Sequence, residues 1–359
     1  ISLPEAEDTV EETAGEPWAF GLEELEIINT TIKYESPQLQ LVTRLDRLTL
    51  GHLVTWTTDP ARLLLNGTVN EAPVTLDGLL PPLSDGFGFT GKLGITSLPL
   101  HTFAMLAEPA VSGLGGQFSI NSELDVLFTP ESSLTVSHTG VLGLAELALE
   151  QEGRQVSYAD FQWKGEAKLA ADVDKGGLDL DMQGIMTGKD LAFADADYQL
   201  SYAGQEWTGA LALQSAAGAG GADIKLQGAI TGNDLALLIP AEALTVHHGD
   251  FLWDGTVTLE SGEDTAVTAD GHLQISKLGG NVADSKTNLA SIDDLSIEKL
   301  GLLENGDITL TGMKVKDAVF AKDTAAADSE QDSGGSVLSA DVITVDSVEV
   351  TEGNQDAIG

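Results

Sequence analysis

Apolar and polar residues alternate through most of the chain. In WKGEAKL, which begins at Trp163, the residues Trp163, Gly165, Ala167 and Leu169 share one parity, while Lys164, Glu166 and Lys168 share the other. WDGTVTL sets Trp253, Gly255, Val257 and Leu259 against Asp254, Thr256 and Thr258. Likewise Leu178, Leu180 and Met182 stand against Asp179, Asp181 and Gln183, and Ile224, Leu226 and Ile230 against Lys225 and Gln227. Period two predicts strands with one apolar and one wet face, and sheets built from such strands are antiparallel.

The pattern also recurs at long range. WKGEAKL, WTGALAL and WDGTVTL start at Trp163, Trp207 and Trp253, steps of 44 and 46 residues. LDMQGIMTGKDLAF and IKLQGAITGNDLAL start 44 residues apart, and Gly140, Gly184, Gly228 and Gly271 follow at steps of 44, 44 and 43. Repeats of this length indicate stacked units that bury one continuous apolar surface. The Gly two residues after each Trp predicts a bend, because glycine weakens a strand interior and marks a bulge or a close approach. The expected fold is mainly β: an elongated, twisted antiparallel sheet of tandem ~44-residue repeats curled into an apolar groove, with one or two short helices. Periodicity alone serves a closed sandwich core equally well.

One helix is expected in SLPLHTFAMLAEPAVSGLGG, where Leu100, Phe103, Ala104 and Ala107 fall at helical spacing between Pro99 and Pro109. A weaker helical piece is expected around Leu235 to Leu238. The array is expected to run over residues 18–320. Residues 1–17 read as an acidic linker, 321–335 as a flexible acidic loop or linker, and 336–359 as a further strand pair and tail.

Composition sharpens the picture. Forty glycines and 5% aromatic residues suit many short strands and turns better than long helices, and 42% hydrophobic residues suffice for a core. The net charge of −40, from 57 acidic against 17 basic residues, repels phosphate backbones, so nucleic acid is not an expected partner. The absence of cysteine excludes disulfides, thiolate metal sites and a cysteine nucleophile. No stretch reaches the roughly 18 apolar residues of a membrane helix. The nearest, LALLIPAEALTV, is broken by Pro240 and Glu242. The chain is expected to be a segment of a longer protein or a mature form.

Catalytic and metal motifs are weak. Asp172, Asp174 and Gly177 echo a calcium loop, but Gly176 and Gln183 occupy positions that need oxygen ligands, so a hairpin turn is expected there. His247 and His248 are strand neighbours that point to opposite faces, as are Asp293 and Asp294, so neither pair makes a site. Hydrolase, zinc-protease, Walker and dinucleotide signatures do not occur. No enzyme activity, metal or cofactor is expected.

Several longer stretches resemble the AsmA-like superfamily of repeating β-groove proteins: WAFGLEELEIINTTIKYESP from Trp18, ARLLLNGTVNEAPVTLDGLLPPL from Ala61 and GITSLPLHTFAMLAEPAVSGLGGQFSINSELDV from Gly94. LEELEIINTTIKY is echoed by LSADVITVDSVEV near the C-terminus. The resemblance spans most of residues 18 to 320, and again 336 to 350, at the level of fold. It implies a periplasmic β-groove of a Gram-negative cell that carries phospholipid between membranes and supports outer-membrane biogenesis. It further implies inner- and outer-membrane anchoring partners and an inner-membrane anchor that is not in this segment. On that basis the candidate groove residues are Trp163, Leu169, Leu180, Met182, Trp207, Leu211, Leu213, Ile224, Leu226, Ile230, Trp253, Val257 and Leu259. The alternative is a structural or adhesive β-repeat protein with a closed core.

Overall fold

The computed structural model describes residues 20–54, 57–82, 86–108, 111–215, 221–261, 265–282, 288–302, 308–321 and 337–350. The expected linkers at 1–17 and 321–335 lie outside these residues, except Ala321.

Among the described residues, sixteen strands form one antiparallel sheet in strict sequence order. They are β1 (Gly21–Glu35), β2 (Gln40–Val54), β3 (Ala61–Val69), β4 (Ala72–Leu80), β5 (Phe87–Pro99), β6 (Gly113–Phe128), β7 (Ser133–Gln151) and β8 (Arg154–Asp172). There follow β9 (Gly177–Ala194), β10 (Gln199–Ser215), β11 (Asp223–Ile239), β12 (Leu244–Ser261), β13 (Thr265–Val282), β14 (Asn288–Leu302), β15 (Ile308–Ala321) and β16 (Val337–Val350). Each 44-residue repeat is one hairpin: β8 with β9, β10 with β11, β12 with β13. Strands of 17 to 19 residues from β7 to β11 make the hairpins long.

The predicted helix forms as a 3-10 turn, Leu100–Phe103, followed by α1, Ala104–Ala107. One expectation needs correction. Leu235 to Leu238 are strand, not helix: they belong to β11 and pair with β10 on one side and β12 on the other, and only Pro240–Glu242 turns as 3-10. Two neighbouring strands satisfy that backbone, which outweighs the helical character of a short Leu/Ala run. Of the further strand pair and tail expected over 336–359, residues 337–350 form β16, which extends the same sheet by pairing with β15, and the remainder lies outside the described residues.

Among the described residues the core is thin. Eleven hydrophobic residues are buried, and no large side chain is fully buried. The strands pair only with their sequence neighbours, so the apolar face stays half-buried along its length.

Candidate functional site

Strand register assembles the thirteen candidate residues on one face. Leu169, Leu180, Leu213, Ile224 and Leu259 are direct neighbours across β8 to β12. Their row continues through Val136, Val126 and Phe89 on one side and Val267 on the other. Nine strands at about 4.8 Å give an aliphatic row about 38 Å long. Beside it run Met182, Leu211, Leu226 and Val257. A further row holds Trp163, Trp207, Ile230 and Trp253, with Met186 between the first two indoles.

Between the aliphatic rows and the Trp row lies a line that sequence periodicity revealed only in part. Gly140, Gly165, Gly184, Gly209, Gly228, Gly255 and Gly271 pair successively across seven strands, β7 to β13. The backbones crowd here. A Cβ on Gly165 would fall 2.1 Å from the carbonyl oxygen of Gln183, and one on Gly228 would fall 2.2 Å from that of Thr208. Gly228 also has φ +138°, which other residues rarely adopt. The sheet is therefore creased along this line, and the indoles settle into the fold. Trp163 is 3% exposed, and Trp207 and Trp253 are each 9% exposed. The tryptophans are the floor of the crease, whereas the aliphatic candidates remain half-buried and open.

A second line had no counterpart in the sequence reading. Glu146, Asp190, Asp234, Lys277 and Asp317, on alternate strands β7 to β15, all have φ between +49° and +54°. At each, two consecutive residues face outward, so the apolar parity slips by one: Gly188 and then Leu191 on β9, Gly232 and then Leu235 on β11. The slip is shared by neighbouring strands, so pairing and the apolar face both continue beyond it.

At the β6 end of the glycine line, Ser122 pairs with Gly140 in place of a further glycine. Its hydroxyl lies 2.6 Å from Nε2 of the buried His138, whose ring stacks on Trp163 at 5.0 Å. Burial holds the His138 imidazole below its usual pKa and so neutral. Its Nδ1 and the indole nitrogens of Trp163 and Trp207 are buried without hydrogen-bond partners.

The other face is wet, with exposed ion pairs such as Arg47–Glu26 and Lys299–Asp270, each at 3.0 Å. The Asp172 region is the expected hairpin turn. Asp172 accepts from the Lys175 ammonium at 2.8 Å and from the Lys175 backbone N–H at 3.0 Å, and these bonds lower its pKa. His247 and His248 do not converge: His248 meets the edge of Tyr202 at 5.4 Å, and His247 lies over Gly279. Among the described residues no group of three or more His, Cys, Asp or Glu could hold a metal ion, and no helix is long and apolar enough to cross a membrane.

No known protein family, curated protein or solved structure matches this chain.

Proposed function

We propose that this chain is a lipid-binding segment of an AsmA-like type, which holds the acyl chains of phospholipid on its creased apolar face and takes part in lipid transport without catalysis. The observation that carries this reading is the uncovered aliphatic row from Phe89 to Val267, continuous over nine strands and half-buried throughout most of its length. Soluble proteins rarely expose a contiguous apolar surface of this extent unless something binds it. Each methylene buried is worth about 0.8 kcal/mol, so ten contribute roughly 8 kcal/mol before ordering entropy. An apolar trough is thus enough for capture.

On this reading the segment works in the periplasm, within a protein anchored at the inner membrane, with partners at both membranes, and contributes to outer-membrane biogenesis. The acidic wet face keeps a long sheet soluble and discourages edge-to-edge or face-to-face association.

Native mass spectrometry with lipid extraction tests the proposal on chain purified from a Gram-negative host. Stoichiometric phospholipid is the expected result. Lipid-free protein that also fails to take up added phospholipid overturns it in favour of a purely structural array.

A further inference from the structure

The crease floor carries polar groups that an entirely hydrocarbon ligand would leave unused. The indole nitrogens of Trp163 and Trp207 are out of contact with water and have no protein acceptor. Buried donors are rarely left in this state, because an unmade hydrogen bond forfeits the hydration the group had when unfolded. The two donors sit on β8 and β10, in the row that also holds Leu142, Met186 and Ile230. None of these neighbours is charged, and the one titratable ring in contact, His138, is held neutral by burial.

We infer that the Trp163 and Trp207 N–H groups form a carbonyl-binding seam that receives the ester oxygens of an acyl lipid as it parts the crease. The chemistry selects a neutral acceptor: a phosphate or free carboxylate placed here would be a buried anion without a countercharge. An ester carbonyl meets both requirements, since it accepts from an indole N–H and carries no charge. The inference rests on the lipid reading and narrows it, from any hydrocarbon chain to an ester-linked one.

The test compares two probes on delipidated chain: dihexanoyl phosphatidylcholine below its micellar concentration, and the dialkyl-ether analogue with the same headgroup and chain length. Five tryptophans give five indole N–H signals in a ¹⁵N spectrum, and Trp163→Phe and Trp207→Phe assign the two of interest. The ester lipid is expected to move both signals downfield and to bind about tenfold tighter than the ether, the equivalent of one recovered buried hydrogen bond. Each Trp→Phe variant is expected to lose much of that preference, read as the ratio of ester to ether affinity within the same variant. Equal binding of ester and ether with unmoved indole signals overturns the seam and leaves the lipid reading standing. Binding of neither probe, with no co-purified lipid, overturns both. If a Phe variant unfolds, the ester-to-ether ratio and the indole shifts of the unmodified chain decide the matter.

Discussion

The indole of Trp253 lies across Gly271: a Cβ on Gly271 would stand 2.7 Å from the indole nitrogen and 2.7 Å from the carbonyl oxygen of Asp254. Gly255, its partner across the strands, is held as tightly, 2.2 Å from the Asp270 carbonyl oxygen by the same construction. Even one methyl group must therefore push apart a ring and a backbone together. Gly271→Ala and Gly165→Ala are expected to destabilise their hairpins by about 1–3 kcal/mol, as overpacking does. Gly143→Ala is the control, since its nearest atom would be 3.8 Å away, and it should be neutral or slightly stabilising. Native-state hydrogen exchange, read strand by strand, is the suitable measurement, because an array need not melt as one unit.

The second line of bends predicts a different pair of outcomes. Asp234 holds φ +54° in the interior of β11. Asp, Asn and Gly tolerate this conformation, whereas a β-branched residue does not. Asp234→Val is expected to cost about 1–2 kcal/mol, and Asp234→Gly is expected to leave stability nearly unchanged. Urea denaturation followed at β10 to β12 separates the two. Equal losses would mean that the carboxylate matters more than the backbone.

Much of this architecture was legible in the residues. Period two gave strands and their apolar face, and the 44-residue step gave the repeating unit, because both signals survive without knowledge of partners, whereas only the pairing shows each unit to be a hairpin. The glycine line was half visible: Gly140, Gly184, Gly228 and Gly271 were found in one register and the Trp-x-Gly glycines in another, but only strand pairing interleaves them. The Asp190 and Asp234 bends were missed although TGKD and TGND repeat, since a residue at positive φ shifts the parity rather than ending the pattern. Leu235 to Leu238 were misjudged at that same slip. Ser122 and His138 left no signal at all, because two polar residues 16 positions apart acquire meaning only once β6 and β7 pair.

The contrast between open rows and a buried floor yields a functional prediction. Leu226 is half-buried between Leu211 and Val257, whereas Trp207 is only 9% exposed. Leu226→Asp places a carboxylate where acyl chains are proposed to lie, yet water can still reach it. Co-purified phospholipid is expected to fall several-fold with hydrogen exchange in β10 to β12 largely preserved. Trp207→Asp, which buries a charge, should open those strands outright. Should Leu226→Asp unfold the hairpins as thoroughly, the face is a sealed core and the groove reading fails.

Acidification supplies the last prediction. His138 is buried against Trp163 with its pKa lowered by desolvation, so the folded chain binds a proton there less readily than the unfolded chain does. Its contribution is therefore fully present above the unfolded histidine value of about 6.5. It declines as pH falls below that value toward the lowered folded pKa, because protonation forces a charge between Ser122 and the indole. Protonation of carboxylates at lower pH relieves the repulsion of a chain with net charge −40 and acts in the opposite sense. The informative quantity is thus a difference: hydrogen-exchange stability of β6 to β8 in the unmodified chain minus that in His138→Gln, measured from pH 7.5 to 5. Gln retains a group able to bond Ser122 but does not titrate. The difference is expected to move against the unmodified chain as pH drops. A difference that stays flat across this range would place the pH response elsewhere and remove His138 from any acid-sensitive role in the crease.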